Sequence, residues 1–498
     1  MDALSVLFLT AIGDLSGDAG HYRVALPARR LAARADIASV HVASNLDPHL
    51  DELLDAADVI VAHELGDPDL FPRVARARER GAVVVYDLAH DLTTLPLLHP
   101  LQGGWVEEQA QRNAFKLASL ATLFTASNVR LLARWASVNP RGNLVADAWA
   151  DDVHPEREPS AGFRVFMALE LHEYAGARDV IEALGAWMSV VEHATLEVLA
   201  PEIVHQGFER FPADRVTLST ARGPKDRAAA LRRADVALMA FDTSDYAHRA
   251  SDVRWLEAAA CGAVVLGPNR GATGERITHG ANGLLYSEPD AIIPALDRLA
   301  TDPALVAHVR KTAAEQVARE RSLDASLDEQ VAYWRRFVKV PAGTTKPNLP
   351  PRLPGALTAY ESALFEGIFS LGPLNDREEA RRRFEEAASL EPRAAEPLAL
   401  LARVVPKPLE VVVGALERAP TSLRANLLLG DALQDMGQHQ EALAVYQRTA
   451  ELFPGWEVPY LRVALVLEGL GMAKEAEQFV RMGADVATFL EDAIEARA

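Results

Sequence analysis

The sequence predicts two doubly wound α/β domains followed by an all-helical region, on three observations. Strand-like and helix-like runs alternate from residue 1 to about 155 and again from 163 to 340, and such alternation builds parallel sheets flanked by helices. Five prolines then fall between Pro341 and Pro354 without any apolar period, which reads as a stiff, extended linker. Beyond Leu357 the composition turns helical and small residues recur at a fixed spacing, the mark of stacked helical repeats. The expected division is 1–155, 156–340, a linker at 341–355, and repeats over 356–498.

Bulk properties bound the function. At 498 residues the chain exceeds a single core, and two to four domains are expected. With 49% hydrophobic residues these domains fold without staples, and the single cysteine, Cys261, excludes an intramolecular disulfide and fits a reducing compartment. A net charge of −19 argues against nucleic acid as a main partner. No stretch approaches the roughly 18 apolar residues of a membrane span. Leu4–Ile12 is apolar but lacks a basic segment before it, so it reads as the first core strand rather than a leader. A cytoplasmic protein is expected, with at most peripheral membrane contact. Arg73, Arg76, Arg78 and Arg80 cluster on one helix, where a solvated face accounts for them.

In the first domain, strands are expected at Ser5–Thr10, Ser39–Ala43, Val59–Ala62, Val83–Asp87 and Ala121–Thr125, with helices at Pro27–Ala35, Pro68–Arg80 and Gln109–Leu117. The second repeats the style, with strands at Arg164–Leu169, Thr195–Leu199, Arg215–Ser219, Val236–Ala240 and Ala263–Leu266. Helices lie between them at Ala177–Val190 and Asp226–Arg233, and Ser322–Val338 reads as a closing helix. Ligands of such folds bind at the carboxyl ends of the strands.

The segment 251–285 carries most of the chemistry. Ser251 or Asp252 suits an N-cap, the run to Ala260 favours helix, and Gly262 stops it. Glu257 is the one carboxylate in that apolar stretch and needs a partner. Arg254, one turn earlier, is the local candidate; a ligand is the other. The segment resembles the donor half-site of GT-B glycosyltransferases, family 4 especially. Glu257, Ala258, Cys261, Gly262, Val264, Val265, Glu275, Asn282 and Gly283 fall on that pattern. The resemblance implies two Rossmann-like domains facing across a cleft, a nucleotide-sugar co-substrate, no metal or other cofactor, and Glu257 on the ribose hydroxyls. The family's Glu-x7-Glu is broken here, because Arg249 stands at the first position; a phosphate contact is expected of it instead. With Ser251, Asp252, Val253 and Arg254 it would receive the diphosphate at the helix start, and Asn269 and Thr273 would line the sugar pocket.

The first domain supplies further candidates. Gly13, Gly17 and Gly20 follow the first strand, where glycine lets backbone N–H groups approach an anion. The next residues, HYRVALPA, resemble a block of some GT-B enzymes, which implies that Tyr22 and Arg23 face the cleft and that Arg23 meets phosphate. Asp87, His90 and Asp91 end another strand in a segment that resembles the same group. Asp91 and His90 are the catalytic candidates, orienting a sugar hydroxyl or moving a proton; capping and a surface histidine are the plain alternative. His63 and Glu64 are further cleft candidates; His172 and Arg178 stand near the place of the family's missing phosphate-binding lysine, and Arg222 and Lys225 precede the helix that in the family often flanks the base.

The tail resembles tetratricopeptide repeats. Ala380, Phe384, Ala387 and Pro392 share a spacing with Ala442, Tyr446, Thr449 and Pro454; Leu429, Gly430 and Leu433 fill first-helix positions, and Ala464, Leu467, Gly471 and Ala476 give a further copy. Such repeats imply a protein partner or self-association. Three readings follow: a metal-independent glycosyltransferase acting on a glycan or protein acceptor, a non-catalytic GT-B-like scaffold, and a sugar-nucleotide epimerase.

Overall fold

The computed structural model describes residues 3–495 apart from 13–17, 97–107, 155–161, 221–222, 241, 342–345, 348, 356 and 373. Among the described residues there are two six-stranded sheets and a C-terminal helical region.

The first sheet holds β1 (Leu4–Thr10), β2 (Ile37–Ser44), β3 (Val59–His63), β4 (Val83–Leu88), β5 (Leu123–Ala126) and β6 (Gly142–Leu144) in the order β2-β1-β3-β4-β5-β6. Every pairing is parallel. All seven residues of β1 are buried, as befits a strand covered on both faces. The second sheet holds β7 (Phe163–Ala168), β8 (Ala194–Leu199), β9 (Val216–Ser219), β10 (Val236–Leu238), β11 (Val264–Pro268) and β12 (Leu284–Tyr286) in the order β12-β11-β10-β7-β8-β9. It too is wholly parallel. Chain order reverses between β7 and β10, a topological switch point where the loops diverge and leave a crevice. Ten strands lie within a few residues of their expected positions. The short strands β6 and β12 have no counterpart in the expectation.

The helix Leu323–Arg335 returns to the first sheet. Its Leu323, Leu327, Val331 and Trp334 are buried with Val6, Phe8 and Val24, and Arg30 reaches Asp324. The proline-rich stretch then runs along the β2 edge, where the Val42 amide donates to the Arg352 carbonyl at 2.7 Å.

Eight helices follow, at Ala359–Leu371, Arg377–Leu390, Glu396–Ala402, Leu409–Arg418, Leu423–Asp435, His439–Leu452, Glu457–Gly469 and Ala473–Glu495. The repeated small residues have a direct packing cause. A Cβ on Gly430 would sit 2.2 Å from the Tyr446 ring, and one on Gly367 would sit 2.5 Å from Phe384. Each glycine thus receives the aromatic ring of the neighbouring helix. Ala380, Ala387, Ala442 and Thr449 are fully buried around those rings.

Candidate active site

A cavity of about 140 Å³ opens at the switch point of the second sheet. Phe166 and Ala168 at the end of β7, and Leu238 and Met239 at the end of β10, form its floor. Its wall is charged: Glu173, Arg227, Asp242, Arg254, Glu257 and Arg270 line it with Ser251, Thr273, His172 and Tyr246.

Glu257 reaches it from the helix Val253–Ala260, whose stop at Gly262 has the left-handed φ of +80° that glycine adopts without strain. The carboxylate is nearly inaccessible, at 1% exposure. Its side-chain partner is not Arg254, the local candidate along the helix. Arg227, on the first turn of the helix Pro224–Arg233, donates to both oxygens at 2.6 and 2.7 Å, and the Tyr22 hydroxyl donates to Oε1 at 2.8 Å. Arg254 turns instead toward Glu170 and Glu173, at 3.9 and 4.0 Å. Spacing along one helix misled here: a carboxylate this deep takes a bidentate guanidinium from a different element. Arg227 escaped the sequence reading although Lys225, two residues earlier, did not; Lys225 is exposed and Arg227 is buried. Its place one helical turn below the Gly223 turn was the signal available.

Ser251, Arg254 and Thr273 line the cavity. Asp252 precedes the helix but caps nothing with its side chain. It accepts Arg276 Nε at 2.8 Å and a further bond from Arg321, which withdraws it from any ligand. Val253 opens the helix, packs partly buried against the core cluster of Trp255 and Leu256, and does not line the cavity expected to hold the diphosphate. Asn269 is exposed and lies outside the lining, a correction to the sugar-pocket expectation, because β11 runs on to Pro268 and turns the asparagine outward.

Arg249 is likewise reassigned. Its Nη1 donates to Asp91 Oδ2 at 3.1 Å across the cleft, so the phosphate contact expected of it is replaced by an inter-domain ion pair. Asp91 is 1% exposed and also accepts the Thr93 amide at 3.2 Å and hydroxyl at 2.6 Å. Asn128 ties the same corner, donating to the Arg249 carbonyl at 2.7 Å. His90 stacks on Tyr246 with ring centres 6.0 Å apart; Tyr246 lines the cavity, whereas His90 and Asp91 do not.

Behind His90 lies a buried polar network at the ends of β3 and β4. Glu64 takes a positive φ of 49° and accepts the His90 amide at 2.7 Å and the Ala89 amide at 2.9 Å. His90 Nδ1 stands 3.1 Å from the same carboxylate. Burial alone would raise the Glu64 carboxyl, but His90 and His63 beside it hold it down at about 2. Asp87 accepts Arg23 Nε at 3.1 Å, meets His63 Nδ1 at 2.9 Å and accepts the Thr125 hydroxyl at 2.5 Å. Arg23 is therefore a core residue of the first domain: its guanidinium also lies 3.6 Å from Asp147. The phosphate role expected of it fails because a π-helical turn at His21–Ala25 sends Arg23 inward and Tyr22 across to the second domain. Gly20 is buried just before that turn and does not line the cavity; Gly13, Gly17 and Arg222 lie outside the described residues. Among the described residues no group of three or more His, Cys, Asp or Glu could hold a metal, and no helix is long and apolar enough to cross a membrane.

Residues 181–331 match the family model described as glycosyl transferase-like. The second sheet thus carries a glycosyltransferase-like segment. Arg227, Arg249, Glu257, Arg270 and Thr273 all fall inside it, while Tyr22 and Asp91 come from outside it. No curated protein matches the chain. Among solved structures, Anabaena HepE in complex with UDP and glucose shares 17% identity over 67% of this chain and 99% of its own, with a TM-score of 0.49. A glycosyltransferase from Rickettsia africae shares 10% over 68% and 100%, with a TM-score of 0.48. MamA shares 20% over 27% and 81%, with a TM-score of 0.25.

Proposed function

We propose that the chain transfers a sugar from a nucleotide-sugar donor to a glycan or protein acceptor, without a metal ion, within a GT-B arrangement of the family 4 type. The single observation that carries this reading is the placement of Glu257. It falls in the glycosyltransferase-like segment and lines a cavity at the switch point beside three arginines.

Glycosyl transfer needs a held donor, a stabilised leaving diphosphate and exclusion of water. Glu257 takes ribose hydroxyls. Arg254 and Arg270, with Ser251 and Thr273, face the diphosphate and the sugar. His90 and Asp91 stand on the far side, where the acceptor enters. The helical region is a tetratricopeptide-like domain that meets a protein partner or a second copy. The protein works in the cytoplasm.

Calorimetric titration with UDP, GDP, ADP and TDP tests the reading. One nucleotide binds saturably, and Glu257→Ala weakens it roughly ten- to a hundredfold, the value of a charge-assisted hydrogen bond. Product analysis with the matching sugar nucleotide then separates transfer from epimerisation. A second reading, a non-catalytic scaffold, draws on the engagement of Glu257 with Arg227 and Tyr22. Absence of binding by all four nucleotides would select it.

A further inference from the structure

The Glu257 carboxylate is held from both domains at once. Arg227 donates through Nε to Oε2 at 2.6 Å and through Nη2 to Oε1 at 2.7 Å. Tyr22, from the first domain, donates its hydroxyl to Oε1 at 2.8 Å. A carboxylate oxygen offers about two lone-pair positions. Oε1 is therefore filled, and Oε2 keeps one. As it stands, Glu257 accepts one ligand hydroxyl, not the pair presented by a vicinal diol.

Tyr22 is built into this position. Its ring is buried with Trp149, Phe166 and Trp255 in the core cluster of the second domain. Its neighbour Arg23 is locked into the first domain by Asp87. The wide turn at His21–Ala25 lets two adjacent residues point into two different domains, a local irregularity of the kind that re-aims side chains.

We infer that Tyr22 is a displaceable inter-domain donor whose hydroxyl competes with a vicinal diol for Oε1 of Glu257. The inference rests on the nucleotide reading above. A ribonucleoside diphosphate brings two adjacent hydroxyls and takes the Oε1 position from Tyr22. A 2′-deoxyribonucleoside diphosphate brings one, which Oε2 accepts with Tyr22 in place. Linkage then requires that the Tyr22 bond to Oε1 weakens the diol and leaves the deoxy ligand untouched. Arg227 is the positioning residue: it keeps the carboxylate aimed whichever donor occupies Oε1.

The test is calorimetric titration of the full chain and its Tyr22→Phe variant with UDP, GDP and ADP and their 2′-deoxy counterparts. Phe keeps the buried ring and removes only the competing hydroxyl. For the nucleotide that binds, the variant tightens the ribo form roughly tenfold, the worth of one hydrogen bond to a charged group, and leaves the deoxy form unchanged. A ribo-to-deoxy affinity ratio that is the same in both proteins would overturn the assignment of Tyr22 while leaving the nucleotide site standing. Failure of every nucleotide to bind either protein would overturn the nucleotide reading, and the role of Tyr22 with it. Should the variant not fold, hydrogen exchange of the unmodified protein decides: the ribo form, not the deoxy form, speeds exchange at residues 21–25, and equal exchange with both refutes displacement.

Discussion

The first domain meets its two neighbours in different ways. Across the cleft, toward the second sheet, Arg249 meets Asp91, Asn128 the Arg249 carbonyl, Arg130 Glu275 and Tyr22 Glu257, with the Tyr22 ring buried alongside Trp149, Phe166 and Trp255. Toward the helical region the contact is anchored by aromatic burial. Trp456 is 1% exposed, its ring centre is 4.1 Å from that of Phe71, and Lys116 Nζ lies 4.4 Å above it. Glu457 beside it accepts Lys116 at 3.0 Å and Arg112 at 3.2 Å. Further along, Ser422 donates to Asp69 at 2.9 Å and Tyr360 to the Leu46 carbonyl at 3.1 Å. Water can replace polar pairs at little net cost, but it cannot replace a buried indole. The helical region is braced on the first domain by a buried indole, whereas the cleft is held by ion pairs and hydrogen bonds around the buried Tyr22 ring.

Breaking the brace should have the largest effect. Trp456→Ala removes the anchor and leaves a cavity, costing about 3–5 kcal/mol. Chemical denaturation should show the loss, with the helical region unfolding ahead of the sheets; an unchanged midpoint would end the distinction drawn here. Removal of the Arg227 side chain tests the cleft from the other side. Arg227→Met strands a buried carboxylate and should cost about 3–5 kcal/mol, unless Glu257→Gln is introduced with it, which should recover most of the loss in the same denaturation assay.

The remaining changes sharpen the comparison. A double-mutant cycle between Arg249→Ala and Asp91→Asn should give a coupling of about 0.5–3 kcal/mol, since Asp91 is buried and Arg249 is only partly shielded. The Arg130–Glu275 pair, more than half exposed on its acidic side, should give about 0–1 kcal/mol in the same cycle. The smallest window concerns pH. The Glu64 carboxyl is held at about 2 in the folded chain against an ordinary 4.5. Because its folded value is depressed, its contribution is fully present above about 4.5 and is lost as pH falls toward 2. A thermal midpoint followed over that range should fall in the parent and fall less in Glu64→Gln.

Much of the architecture was legible in the chain. Parallel strands buried on both faces announce themselves as apolar runs, and β1, β3, β4 and β8 stand within a residue or two of where the pattern places them. Gly430 was legible as a repeat position because its size is dictated by the ring it receives; Gly367, which receives the Phe384 ring in the same way, was not read from the sequence. The site was less so. Glu257 stood out as a lone carboxylate in an apolar helix, yet its partner lies 30 residues upstream in Arg227 and 235 residues upstream in Tyr22. Spacing rules reach one helical turn and not further.

The sequence by itself determined the elements, the two sheets, the helical tail and the presence of a charge that needed a partner, because propensity, periodicity and turn chemistry are local. Only the tertiary structure decided which partner each charge received. Arg249 went to Asp91 rather than to an open phosphate site, Arg23 went to Asp87, and Tyr22 crossed to Glu257. A buried charge must be satisfied by whatever group the packing brings within hydrogen-bond reach, and that group is chosen by the fold, not by the neighbouring residues in the chain.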